Sequence, residues 1–365
     1  MKAVQIVQPN MLKLIDMPMP VLDEKNNVMV KIQAAGICGS DVGIYHGTNA
    51  AATYPRVIGH EMVGEVTEIG AGVTRLKVGD RVIIDQVTNC GTCYACRKNR
   101  GNVCANLRVR GVHIDGGYRE YMAVPEHDCY LLPASLSYED AVMIEPTTIA
   151  IQSCSRAELS DEDTLLIMGC GALGSSLLKI ARLSGAKIIV ADVVDDKLQA
   201  ALENGAQYAI NLLNEDIDAR IRELTDGYGP TVSIDAACTK DSLPTLLRVT
   251  GNAGRVITMG FSLAPVEINQ FSITSKELDV RGSRLQNKKF QDAINLIGYS
   301  AGTQTVLQTY KAMPDQIKSI CEVFGPFMIQ MAGGIDDVDT NFCLIKSDAD
   351  QYDYFFIGDP QACTE

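Results

Sequence analysis

Apolar residues follow two distinct rhythms along this chain. Over roughly the first 150 positions they come in short runs, such as Val28-Met29-Val30-Lys31-Ile32 and Arg81-Val82-Ile83-Ile84, separated by Gly, Pro and Asp. Short runs rich in Val and Ile and bounded by turn formers predict an all-β unit with short strands. Met1-Lys2-Ala3-Val4-Gln5-Ile6-Val7 alternates and predicts a strand at the start. From about Asp163 a short apolar strand gives way to a helical stretch, and the pair repeats. Strands are predicted over 164–168, 187–190, 232–234 and 255–259, and helices over 173–183, 196–203 and 242–249. Such alternation implies parallel βαβ units on a doubly wound sheet, an α/β fold. The expected division is a β-rich domain over 1–150, a parallel-sheet domain over 151–288, and a return to the first domain over 289–365 with an atypical tail. Past Tyr299 neither rhythm continues, and Cys343-Leu344-Ile345-Lys346 is the candidate closing strand.

At 365 residues, 46% hydrophobic and 21% charged, the chain suits two globular domains. A formal net charge of -13 disfavours nucleic acid and anionic lipid as partners, since the one basic cluster is the short Arg97, Lys98 and Arg100. The last stretch, 299–365, holds ten acids and three lysines, so a fifth of the chain carries more than half of the excess. No export signal or long apolar span is visible, which points to a cytoplasmic location without membrane attachment. Four of the twelve cysteines are packed between positions 90 and 104, and without an export signal thiolate metal ligation is preferred to disulfides.

The strand at 164–168 runs into Gly169-Cys170-Gly171-Ala172-Leu173-Gly174 and then into a helix. That context makes the glycine pattern a dinucleotide loop: Gly169 for the tight turn, Gly171 for close approach to a pyrophosphate, Gly174 for helix–sheet contact. Ala172 and Leu173 open the helix whose N–H groups face the phosphates. The next strand ends at Asp192, whose carboxylate can accept both ribose hydroxyls and repel a 2′-phosphate, so NAD is expected rather than NADP.

Cys90, Cys93, Cys96 and Cys104 can complete a tetrahedral Zn²⁺, which closes the site and makes it structural. The spacing differs from a bacterial ferredoxin run, which has three residues before its fourth Cys and a Pro after it. A second set is dispersed: Cys38 in Gly36-Ile37-Cys38-Gly39-Ser40-Asp41, His60 and Glu61 after Gly59, and Glu145 in Ile144-Glu145-Pro146. Cys38, His60 and a carboxylate would give three ligands and leave a fourth position open, as catalytic zinc requires.

Together with Tyr54-Pro55-Arg56-Val57-Ile58 and Gly111-Val112-His113-Ile114-Asp115-Gly116-Gly117-Tyr118, these motifs resemble zinc-containing medium-chain dehydrogenases over roughly 1–297. The likeness is strongest to the sorbitol and threonine dehydrogenase branch, including bacterial members linked to L-idonate, L-gulonate or L-galactonate oxidation and starvation-sensing types. The resemblance implies a GroES-like catalytic domain and a Rossmann cofactor domain. It implies two zinc ions per chain, NAD, and oxidation of a secondary hydroxyl on a polyol or sugar acid. It places Cys38, His60 and either Glu61 or Glu145 at the catalytic zinc, with Asp41 orienting His60. Ser40 matches the hydroxyl that begins the proton exit path. Relatives carry a histidine where this chain has Gly43, so His46 is named as a substitute relay. Arg284 matches an arginine near the substrate and could grip a carboxylate. Tyr45, Arg56 and Tyr118 are further candidates at the pocket. A homo-oligomer, dimer or tetramer, is implied through an edge strand near 277–282. A threonine-type enzyme, or a cofactor-binding sensor or damaged dehydrogenase on account of the tail, are the alternatives.

Overall fold

A computed structural model describes residues 1–299 and the strands Phe342–Lys346 and Tyr352–Ile357. They form two units: Met1–Glu145 with the described residues from Phe290 onward, and Pro146–Lys289. Among the described residues no helix is long and apolar enough to cross a membrane.

In chain order the first unit holds β1 (Lys2–Gln8), β2 (Met11–Asp16), β3 (Val28–Gly36), α1 (Gly39–His46), β4 (Arg56–Val57), β5 (Glu61–Ile69), β6 (Arg81–Ile84), β7 (Val87–Thr88), α2 (Tyr94–Arg97), β8 (Arg108–Val109), β9 (Tyr121–Val124), β10 (Cys129–Leu131) and α3 (Tyr138–Ala141). Helix α4 (Ile144–Ala157) carries the chain into the second unit. The main sheet is antiparallel, in the order β10-β6-β5-β3-β9, beside a smaller β2-β1-β4 sheet. Val28, Val30, Ile32, Val63, Val66, Ile83 and Ile84 are each fully buried, as the short apolar runs require. Removing one such side chain from water contributes about 1.5–3 kcal/mol.

The segment carrying His60 is clasped by the glycine-rich stretch after β8. The N–H groups of Gly116, Tyr118 and Gly117 donate to the carbonyls of Val57, Ile58 and Gly59 at 2.8, 3.0 and 2.9 Å. A Cβ on Gly116 would stand 2.1 Å from the Gly59 carbonyl oxygen, and Gly59 itself has φ +92° with the Tyr118 ring against it. Only glycine fits a left-handed position with an aromatic ring on it.

The second unit continues with β11 (Thr164–Met168), α5 (Ala172–Ala181), β12 (Lys187–Asp192), α6 (Asp195–Glu203), β13 (Tyr208–Asn211), α7 (Ile217–Leu224), β14 (Val232–Asp235), α8 (Ser242–Val249), β15 (Arg255–Thr258), α9 (Phe271–Thr274) and β16 (Asp279–Gly282). All six strands are parallel, ordered β13-β12-β11-β14-β15-β16. That is the doubly wound order, with its switch point between the first strand, β11, and β14. Alternate residues serve opposite faces. Leu165, Ile167, Ile188 and Val190 pack with α5 and α6, whereas Leu166, Met168, Ile189 and Ala191 pack with α7 and α8. Two covered faces explain why these strands read as unbroken apolar runs.

The chain then rejoins the first unit through α10 (Phe290–Tyr299). Phe290, Ala293, Ile294 and Ile297 form its buried stripe, and Phe290 stacks on Tyr130 with ring centroids 5.0 Å apart. The candidate closing strand lies within β17 (Phe342–Lys346), which pairs with β18 (Tyr352–Ile357) as an antiparallel two-stranded ladder separate from the main sheet. The rest of the tail lies outside the described residues. If α10 anchors the return, Phe290→Ala should cost about 3–5 kcal/mol in urea unfolding. A loss below about 1 kcal/mol would show that the stripe carries no such weight.

Candidate metal centres and cofactor site

The loop between β7 and β8 folds back on itself through α2 and gathers four sulfurs. Cys90, Cys93, Cys96 and Cys104 place their Sγ atoms within 4.8 Å of one another, all as free thiols. The Sγ atoms of Cys93 and Cys96, Cys104 and Cys90, and Cys93 and Cys104 are 3.5, 3.4 and 3.8 Å apart. A tetrahedral ion with metal–sulfur bonds of about 2.3 Å has sulfur–sulfur edges of about 3.8 Å, so the cage fits zinc. Backbone N–H groups of Cys93 and Asn106 donate to the sulfurs of Cys90 and Cys104 at 3.4 and 3.3 Å, which favours thiolates. Hydrogen bonds from Thr92 and from the Cys93 N–H pull Cys90 down to about 5.

The second cluster is assembled by the ends of β3, α1 and β5. Cys38 caps α1, and Asp41 in its first turn accepts the Cys38 N–H at 3.0 Å through Oδ2. The other oxygen, Oδ1, lies 3.5 Å from His60 Nδ1, and neither atom has a hydrogen-bond partner. That leaves Nε2 as the outward nitrogen, with Ser40 Oγ 3.4 Å from it. Glu61 opens β5 opposite Gly36 in the β3–β5 register. Its carboxylate crosses that glycine: a Cβ on Gly36 would lie 2.2 Å from Glu61 Oε2. Potential ligand atoms of Cys38, His60 and Glu61 lie within 4.8 Å of one another. Glu145 is buried, outside that trio, and accepts from Gln86 Nε2.

Burial governs the electrostatics here. It pushes the Cys38 thiol up, Glu61 up to about 7 and Glu145 up to about 8. Burial alone would discharge His60, but Asp41 and Cys38 together hold it well above the usual imidazole range. So many buried acids around one imidazole form a site whose charge a divalent cation would balance. The donor set of thiolate, imidazole and carboxylate suits zinc.

In the second unit Gly169 turns the chain with φ +97° at the end of β11. A Cβ on Gly174 would stand 1.8 Å from the Gly169 carbonyl oxygen, so α5 meets the loop backbone to backbone. Gly171 caps α5, and Ala172 and Leu173 form its first turn. Asp192 ends β12 with its carboxylate turned to this loop. Oδ2 accepts the Cys170 N–H at 2.6 Å, and Oδ1 accepts those of Val193 and Val194 at 2.7 and 3.1 Å.

Other expected residues are engaged elsewhere. His46 is exposed in the last turn of α1, where Nδ1 pairs with Asn10 Oδ1 at 3.1 Å. Arg284 places its guanidinium 4.8 Å from the centre of the exposed Phe261 ring, within the second unit. Arg56 is bound to Asp115 at 2.8 Å, and Tyr45 donates to the Asn10 carbonyl at 3.4 Å. Tyr118 is buried, donating to the Gly36 carbonyl at 2.9 Å with Asp41 Oδ2 3.5 Å away, so it supports the cluster from behind. Gln86 was not legible in any motif, since its contact with Glu145 joins positions 59 apart.

Two family descriptions match this chain: the alcohol dehydrogenase GroES-like domain over residues 24–134, and zinc-binding dehydrogenase over residues 172–298. The chain belongs to the zinc-containing medium-chain dehydrogenase family, a class of oxidoreductases. It is 40% identical over 297 residues to the starvation-sensing protein RspB of Escherichia coli K12, covering 81% of this chain and 87% of that protein. Against sorbitol dehydrogenase of Bacillus subtilis 168 the identity is 32% over 288 residues, covering 77% and 81%. A crystal structure described as the short chain alcohol dehydrogenase RspB of E. coli CFT073 complexed with NADH superposes with a TM-score of 0.76. The identity is 39%, over 84% of this chain and 88% of that one.

Because Glu61 needs the space a side chain at position 36 would fill, Gly36→Ala should displace the carboxylate. In protein loaded with zinc, loss of metal from the Cys38 cluster to a chelator is expected to accelerate about tenfold or more, with no change in any metal held by the cysteine lobe. Equal rates in variant and parent would refute that dependence.

Proposed function

We propose that this chain is an NAD-dependent dehydrogenase that oxidises a secondary hydroxyl of a polyol or sugar acid, with one catalytic and one structural zinc. The observation that carries the reading is the convergence of Cys38, His60 and Glu61, three ligand types whose donor atoms lie within 4.8 Å of one another. Bound zinc supplies positive charge that acidifies a substrate hydroxyl, and a bound nicotinamide supplies the hydride acceptor.

The chain's own groups have separable tasks. Cys38, His60 and Glu61 hold the ion, and Asp41 fixes the imidazole through the face opposite Nε2. Ser40 Oγ, beside Nε2, takes the proton that leaves the substrate hydroxyl and passes it toward solvent. Cys90, Cys93, Cys96 and Cys104 close around the structural ion. Gly169, Gly171, Ala172, Leu173 and Gly174 cradle the pyrophosphate at the start of α5. Asp192, already oriented by three backbone N–H groups, receives the ribose hydroxyls and repels a 2′-phosphate. Arg284 exchanges its stacking on Phe261 for a bidentate grip on an aldonate carboxylate. Similarity to sorbitol dehydrogenase supports the polyol class. The parallel sheet's outer strand, β16, with Val280 exposed, supports pairing into a homo-oligomer.

The test is reduction of NAD and of NADP across polyols, aldonates and L-threonine, with zinc measured on the same sample. Two zinc ions per chain, turnover of polyols or aldonates over L-threonine, and at least about tenfold preference for NAD are expected. Cofactor binding with no turnover of any alcohol would defeat the enzyme reading in favour of a sensor. In the same assay Arg284→Ala should raise KM for aldonates more than for neutral polyols. Equal effects on both would remove the carboxylate role.

A further inference from the structure

Gln86 lies on the turn between β6 and β7 and is fully buried. Its place is fixed from the side of the cysteine lobe. The Arg110 N–H donates to its carbonyl at 2.9 Å, and Val87 beside it pairs with Val109. From there its Nε2 donates to the Glu145 carboxylate, while its Oε1 is buried without a hydrogen-bond partner. Against the ionised carboxylate a carbonyl would meet a second acceptor, so the NH₂ of the amide faces the acid.

Glu145 is itself only 3% exposed, and it lies outside the trio of Cys38, His60 and Glu61. Three protein ligands leave a zinc ion open to a substrate oxygen, whereas a fourth closes it and makes the site structural. Glu145 feels the charges of His60 and Glu61, so its carboxylate is a competitor for that fourth position. The hydrogen bond from Gln86 Nε2 engages one oxygen of the acid away from the trio.

We propose that Gln86 is a positioning residue: its amide holds Glu145 beside the metal centre rather than in it, reserving the open coordination position for substrate. This rests on the reading of Cys38, His60 and Glu61 as the ligands of the catalytic ion. It concerns a residue acting through another, so the effect must vanish when Glu145 is removed.

The test uses the full chain with cobalt(II) in place of zinc and azide as a probe of the open position, followed by visible absorption. In the parent, azide is expected to shift the cobalt spectrum. Gln86→Leu should weaken azide binding about tenfold or more, because Glu145 moves onto the ion. Gln86→Leu combined with Glu145→Gln should restore the parent response, since no carboxylate remains to move. Should Gln86→Leu fail to fold, Gln86→Asn, whose amide is one methylene shorter, is expected to show the same loss and the same rescue. Unchanged azide binding in the folded single variant overturns the proposal, as does a double variant that stays insensitive. A different result addresses the underlying reading: if Cys38→Ser binds as much cobalt as the parent, the trio is not the ligand set.

Discussion

Several acids buried around one imidazole set the terms for the first unit. Cys38, Asp41, Glu61 and Glu145 converge on His60 within a protein interior, where an uncompensated charge costs several kcal/mol. Protons or a cation must settle that imbalance. The local structure accordingly spends its geometry on keeping the groups close. Asp41 ties the start of α1 to the ring, Gly36 makes room for Glu61, and the glycine clasp over residues 57–60 delivers the histidine to a fixed place.

The second unit solves a different problem with less charge. Its sheet is covered on both faces, and Asp192, at the end of β12, is anchored by backbone N–H groups from the glycine loop and from its own strand end. A carboxylate held in this way spends little ordering entropy when a ligand arrives. Lys276 shows the same economy elsewhere: its ammonium caps α8 by donating to the carbonyls of Leu247, Arg248 and Thr250.

Much of this was readable before any coordinates. Strands covered on both faces are mostly apolar, so β11 and β12 announce themselves as unbroken runs, and β14 and β15 as shorter ones around Val232, Ile234, Val256 and Ile257. Strand β13 and helix α7 do not, because Tyr208 is exposed at the sheet edge and α7 buries only Ile217 and Ile221 among charged neighbours. The return through α10 is also written in the chain, in the apolar residues at 290, 293, 294 and 297. Short motifs exposed Cys38, His60 and the cysteine lobe, since ligand chemistry demands particular residue types. They said nothing of Gln86 or of the Tyr118 hydrogen bond to Gly36, 82 positions away, because such partners are chosen by topology alone. For His46 helical spacing was a fair guide to α1 but not to what the helix end faces, which is Asn10.

The cysteine lobe is contiguous, from Cys90 to Cys104, whereas the other cluster joins Cys38, at the start of α1, to His60 and Glu61, at the start of β5. Closing a short loop costs little chain entropy, and the cost is met without any other part of the unit in place. A lobe closed this way can gather its four sulfurs with little help from the rest of the unit. The trio around His60 has no such independence, because its geometry exists only once β3 and β5 are paired.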